Sequence, residues 1–225
     1  MTIAAPPNIA RLPQDRRGYH VPKFVAWIKG TPDFRVVDPD HLWRCINVGV
    51  CWICGERLGR WHTYVTGPMC VVNRTSGEPP SHHECAVYAA RACPFLSLPE
   101  AKRREAGLPD EVVEPAGIGI RRNPGVTALW VTRRPINPFP DQNMRPLFRL
   151  PMPVERIEWM REGRDATRAE VLHSITTGCP TLQSIAEQEG ERAVLALRKQ
   201  VDWALGLIEK PPFAPKGVDN VAPTV

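Results

Sequence analysis

The feature that most constrains this 225-residue chain is the stretch CWICGERLGRWHTYVTGPMCVVNRTSGEPPSHHEC, residues 51 to 85. It opens with two cysteines three positions apart, Cys51 and Cys54, and closes with a histidine and a cysteine at the same separation, His82 and Cys85. Zinc takes four soft or borderline donors in a tetrahedron, and thiolate sulfur and imidazole nitrogen suit it. A C-x2-C pair supplies two donors from a tight knuckle, and Gly55 after the second cysteine lets the backbone turn sharply. In the first turn of a helix, residues i and i+3 share a face, so His82 and Cys85 supply the other two. The helix N-terminus also favours a thiolate electrostatically. We therefore expect structural zinc on Cys51, Cys54, His82 and Cys85. His83 fits the helix face less well. Cys70, read as lying on a strand, and Cys93, two turns along the helix, are alternative ligands or core thiols. Cys45 and Cys179 are read as core or surface thiols.

The rest of the chain supports metal over disulfides. Seven cysteines is an odd number, and residues 94 to 178 contain none, which a disulfide framework would not leave. The opening MTIAAPPNIARLPQDRR has no basic segment followed by an apolar run, and no stretch approaches the roughly 20 apolar residues of a membrane span. The expected compartment is the cytoplasm, where thiols stay reduced. Twenty-five prolines imply many forced turns, since proline fixes φ and lacks an N–H donor. Zinc would then replace core that so proline-rich a segment cannot bury.

Along the chain we expect a flexible lead-in over 1–18, a zinc-binding module over 19–96, a linker and antiparallel β segment over 97–152, a helical segment over 153–210 and a disordered tail over 211–225. DFRVVD alternates as a short strand, and DPDHLWRCI is one or two helical turns capped by Asp38 or Asp40. RLGRWHTYVTGPMCVVN reads as a hairpin broken at Thr66-Gly67-Pro68. SHHECAVYAARAC reads as a helix with Ser81 as N-cap and Pro94 as stop. A short helix is expected around PEAKRREA. GIGIRRNPGVTALWVTRR reads as a second hairpin turning at Asn123-Pro124-Gly125, with PLFRL as a further strand. TRAE, residues 167–170, has capping-box spacing. Gly178 is expected to end that helix and Pro180 to open the next. Val194, Leu197, Val201, Leu205 and Ile208 mark an amphipathic helix reaching about Glu209.

Knuckle, hairpin, then a helix with two ligands in its first turn resembles the treble-clef zinc finger, over about residues 50 to 93. The phrases CWICGERLG, GPMCVVNRTSGEPPSHHECAVYAARACPFL and EGRDATRAEVLHSITTGCPTLQSIAEQEG are together similar to a family of uncharacterised bacterial and phage proteins. That likeness covers about a third of the chain. It implies a phage or prophage setting and supplies no catalytic residue.

The fold class expected is α+β: a small treble-clef-like zinc module, a short antiparallel sheet and a C-terminal helical segment. The function expected is a zinc-stabilised binding or adaptor protein, with nucleic acid as first candidate partner and protein as second. The net charge of +5 is mild. Arg121, Arg122, Arg133, Arg134, Arg145, Arg149, Arg156, Arg161, Arg164 and Arg168 could grip phosphate, and Trp130 could stack, or the arginines form a solvated face. The helices flanking Gly178-Cys179-Pro180 resemble a helix-turn-helix in outline, but TLQSIAEQEGE carries acids that phosphates would repel. The alternative is a His-metal endonuclease using His62, with Asn73 further on. Trp61 stands where the expected acid would be, so nothing evident orients that base.

Overall fold

The computed structural model describes residues 3–97 and 125–209. The PEAKRREA helix, Arg121, Arg122 and the 211–225 tail lie outside the described residues. The elements in chain order are α1 (Pro7–Ala10), β1 (Val25–Ile28), β2 (Thr31–Val37), α2 (Pro39–Val48), β3 (His62–Thr66), α3 (Pro68–Asn73), β4 (Thr75–Ser76), α4 (His83–Ala92), α5 (Pro94–Ser97), β5 (Thr127–Thr132), β6 (Pro138–Pro140), β7 (Pro146–Arg149), β8 (Arg156–Arg161), β9 (Arg164–Asp165), α6 (Arg168–Glu189) and α7 (Glu191–Glu209). The class is α+β, with short antiparallel sheets and C-terminal helices.

The described residues form three sheets: a β1–β2 ribbon, a four-stranded sheet ordered β3-β5-β8-β9, and a three-stranded sheet ordered β4-β7-β6. Every pairing is antiparallel. β5 is the centre of the fold and is buried along its whole length. Successive side chains of a strand point to opposite faces. Ala128 and Trp130 accordingly join Tyr64, Val71, Phe148, Leu150 and Ile157 on one face, while Leu129 meets Ala86, Ala90 and Met160 on the other. The small alanines let α4 lie close on the sheet, which fixes where the start of α4 points.

The hairpin expected over 57–73 does not form. β3 pairs with β5, Thr63 opposite Val131 and Tyr64 opposite Trp130, and residues 68–73 are helix α3. Pro68 at the first helical position is pre-set for helix, and Arg74 closes it in the left-handed conformation, φ 53°. Met69 and Val72, three apart on one face, join the core of the C-terminal helices, while Val71 joins the core of the central sheet. Tertiary burial outweighs the strand preference of the two valines. The treble-clef order thus keeps its knuckle and its helix but not its hairpin, and Cys70 lies on a helix rather than a strand.

Other expectations are corrected. β3 and β8 flank β5 on its two edges; the first arm of the hairpin expected about Asn123-Pro124-Gly125 lies outside the described residues. The segment expected to be helical from 153 begins instead with the β8–β9 hairpin. Its turn, Glu162-Gly163, takes positive φ at both positions (51° and 75°), the geometry that matches strand twist. The lead-in is anchored through α1, with Ile9 and Leu12 buried among the clustered cysteines.

Helix α6 does not stop at Gly178; it runs to Glu189 with Pro180 inside it. A Cβ on Gly178 would stand 2.8 Å from Met69 Sδ, so this glycine permits close approach of α6 to α3 rather than a C-cap. Pro180 faces solvent, and so does Thr176, whose carbonyl lost its N–H partner and can take water instead. No turn separates two helices there, which removes the helix-turn-helix likeness. The break comes at Gly190, φ 105°. The capping box is present, with Thr167 accepting from the Glu170 N–H and the Glu170 carboxylate accepting from the Thr167 N–H.

Candidate metal centre

Cys51 to Gly55 make the knuckle. The Cys51 N–H donates to the Glu56 carbonyl (2.7 Å), the Gly55 N–H to the Cys51 carbonyl (2.9 Å), and a bridge between Val50 and Arg57 closes the loop. Gly55 has φ 78°, a conformation open to glycine and strained for other residues. The knuckle is tied to the rest of the fold by the Trp52 N–H donating to the Pro80 carbonyl (3.1 Å) and the Lys23 N–H to the Ile53 carbonyl (2.8 Å). Trp52 lies buried against Phe24, their rings stacked 4.8 Å apart, with His41 at 5.7 Å.

The second pair of donors is set by strand β3. Ser81 does not cap α4; it exchanges two backbone hydrogen bonds with Thr63, at 2.9 and 2.8 Å. That bridge holds the chain one residue before His82, which is itself the N-cap. Cys85 follows in the first turn and is wholly buried.

The structure brings Cys51, Cys54, His82 and Cys85 together, with all four candidate donor atoms within 4.8 Å of one another. Cys54 Sγ is 3.4 Å and Cys85 Sγ 3.9 Å from His82 Nδ1. A tetrahedron with metal–sulfur bonds of ~2.3 Å and a metal–nitrogen bond of ~2.0 Å has edges of about 3.5–3.8 Å. The residues present therefore fit a tetrahedral cation, and the Cys3His set is compatible with structural zinc.

The surroundings orient these donors as ligands require. His82 Nε2 lies 2.9 Å from the Arg57 carbonyl, so Nε2 carries the hydrogen and Nδ1 presents its lone pair to the sulfurs. The N–H groups of Cys54 and His82 donate to Cys51 Sγ at 3.5 and 3.4 Å, which favours the thiolate. Burial pushes the Cys51 thiol up, but hydrogen bonds from Cys54, Cys85 and His82 more than reverse this and hold it far below its usual value. Hydrogen bonding to Cys51 and Cys54 lifts His82 to about 11, and the same neighbours push Cys85 far up. A cation bound here would displace protons from the thiols and take up the Nδ1 lone pair.

The other candidates lie elsewhere. His83 turns its Nε2 toward Glu158 on β8, 3.5 Å away, and its buried Nδ1 has no hydrogen-bond partner. Cys70 sits on α3 and Cys93 caps α4, and burial raises both thiols. Cys179 is half-buried against the α6–α7 core. Cys45 is buried beside the cluster, its sulfur 3.5 Å from His41 Nε2, and burial pushes its thiol up to about 12. His62 begins β3, and its Nδ1 lies 2.8 Å from the Arg134 carbonyl. Asn73 is exposed at the end of α3. Two contributors carried no signal in residue identity, the Arg57 carbonyl and the Thr63–Ser81 bridge, because both act through backbone.

Five of the arginines of the second half are paired with acids. Arg133 pairs with Glu155, Arg145 with Asp141, Arg156 with Glu158, Arg161 with Glu162 and Glu170, and Arg164 with Glu170. Trp130 is wholly buried, its indole N–H donating to the Pro151 carbonyl, so it offers no stacking face. No helix among the described residues is long and apolar enough to cross a membrane. Compared with family models, curated proteins and solved structures, the chain matches none.

Proposed function

We propose that this is a zinc-stabilised binding or adaptor protein in which the metal is structural. The observation that carries the reading is the closed donor set. Three sulfurs and one nitrogen would complete a tetrahedron around the cation, leaving no position for an activated water. The cation would join the knuckle, and through it α1 and the β1–β2 ribbon, to the start of α4 on the central sheet. The nuclease alternative loses its scaffold, because the hairpin that would carry His62 is a strand followed by a helix. On the likeness noted in the sequence we place the protein in a phage or prophage setting, which the genes neighbouring its own would check.

The test is metal content by mass spectrometry on purified wild type and on Cys51→Ser, Cys54→Ser, His82→Ala and Cys85→Ser. We expect one zinc per wild-type chain and loss of it in each variant. Cobalt in place of zinc should give the intense visible bands of a tetrahedral thiolate site. A wild-type protein that neither holds nor takes up zinc would overturn the proposal.

A further inference from the structure

The β1–β2 ribbon stands as a sheet of two strands, and it leaves aromatic rings in water. Trp27 is 51% exposed, Phe34 36%, and Tyr19, in the turn before the ribbon, 38%. Phe34 lies two residues from Pro32, the register partner of Trp27. The Arg17 guanidinium links the other two rings, 5.1 Å over Tyr19 and 5.5 Å over Phe34. Each ring could have been buried at a gain of roughly 2 kcal/mol, so their exposure together on one ribbon asks for a ligand with flat apolar faces.

The charge around them names the other half of that ligand. Residues 15–35 contain Arg16, Arg17, Lys23, Lys29 and Arg35 against Asp15 and Asp33. That is +3 within a chain of net +5. Both acids are already engaged, Asp15 by Arg17 and Asp33 by Arg35. Arg16, Lys23 and Lys29 are exposed and carry no ion pair among the described residues. Lys29 holds the ribbon tip in the left-handed conformation, φ 49°, followed by Gly30 at 77°. Asparagine, aspartate or glycine is the usual occupant of such a turn. A lysine there accepts strain and sets a cation at the exposed tip of the ribbon.

We propose that the β1–β2 ribbon with its preceding turn is a stacking platform for single-stranded nucleic acid: bases stack on Trp27, Phe34 and Tyr19 while Arg16, Lys23 and Lys29 meet the phosphates. This deepens the binding reading above and rests on it. Rings combined with unpaired cations suit a ligand that alternates flat bases and anionic phosphates. A duplex keeps its base faces stacked inside and cannot offer them. An acidic peptide could meet the cations but has no faces for the rings.

The experiment is fluorescence anisotropy of a labelled thymidine oligomer of about 20 nucleotides, run beside a duplex of equal length and a labelled polyglutamate. Zinc content and melting temperature are measured on the same samples. Trp27→Leu and Phe34→Leu should each weaken oligomer binding roughly tenfold. Lys29→Asn suits the turn better than the native residue, so it keeps the ribbon folded; it should weaken binding and flatten the salt dependence by about 0.7 in log–log slope. Should a leucine variant fail to fold, Lys29→Asn still decides. Duplex or polyglutamate binding as tight as the oligomer's, or variants that bind like wild type, would overturn the inference. With zinc retained, that result leaves the structural-metal proposal standing; absence of zinc strikes the latter alone.

Discussion

Removal of the metal should loosen much more than a loop. The module around the cluster has a small apolar core of its own: Ile9, Leu12, Val50, Trp52 and Ile53, with cysteines filling the remainder. At roughly 2 kcal/mol per fully buried side chain, those five contribute about 10 kcal/mol. A structural zinc on such donors is worth ~10–16 kcal/mol in small zinc-folded domains, so the cation would match these five buried side chains together. Three thiols whose sulfurs lie within 4.8 Å of one another would also lose their shared counter-charge when it leaves. The effect reaches the central sheet, because α4 carries His82 and Cys85 at one end and packs Ala86 and Ala90 on Leu129 and Met160 further along. For a chain of this size, 1 kcal/mol shifts the melting temperature by about 2–4 °C. If even half the metal term is felt, the transition falls by more than about 10 °C. Circular dichroism melts of zinc-loaded and chelated protein, with metal content checked on each sample, measure this directly. A metal-free sample that melts within a degree or two of the loaded one would refute the reasoning.

Four further outcomes are expected. Thr167→Ala should cost about 1 kcal/mol through loss of the α6 cap, read as a small drop in melting temperature. In the same box, the Arg164 hydrogen bond and the Thr167 N–H hold the Glu170 carboxyl at about 2; its folded value lies below its unfolded one, so its stabilisation is full above the ordinary carboxylate range and fades as the pH falls toward 2. A carboxyl-carbon NMR titration should place Glu170 well below the other glutamates. Gly178→Ala puts a Cβ 2.8 Å from Met69 Sδ; overpacking of about 1–3 kcal/mol should outweigh the gain of about 1 kcal/mol in helix propensity, and in a double-mutant cycle with Met69→Ala the penalty should largely disappear. His62→Ala and wild type should show equal nicking of plasmid DNA with magnesium present; a rate that falls with the substitution would revive the nuclease alternative.

The sequence alone determined the local chemistry of this protein. Ligand spacing, the Gly55 knuckle, the Thr167–Glu170 box and the stripe from Val194 to Ile208 are each written within a few residues, where local geometry dictates the outcome. What only the tertiary structure decided is where segments with two readings went. Val71 and Val72 have strand preferences yet sit in helix α3, because Met69 and Val72 bury among the C-terminal helices. Gly178 looked like a helix end until α3 was found lying on it. Arg156 to Asp165 had no helical partner to meet, while β5 had an edge to fill, and the segment became a hairpin. Likewise Arg133, Arg145, Arg156, Arg161 and Arg164 are paired with acids once folded, since ion pairing depends on distances that only the fold sets. Propensities of a few tenths of a kcal/mol per residue yield to burial worth roughly 2 kcal/mol per side chain, and burial depends on neighbours far away in the chain.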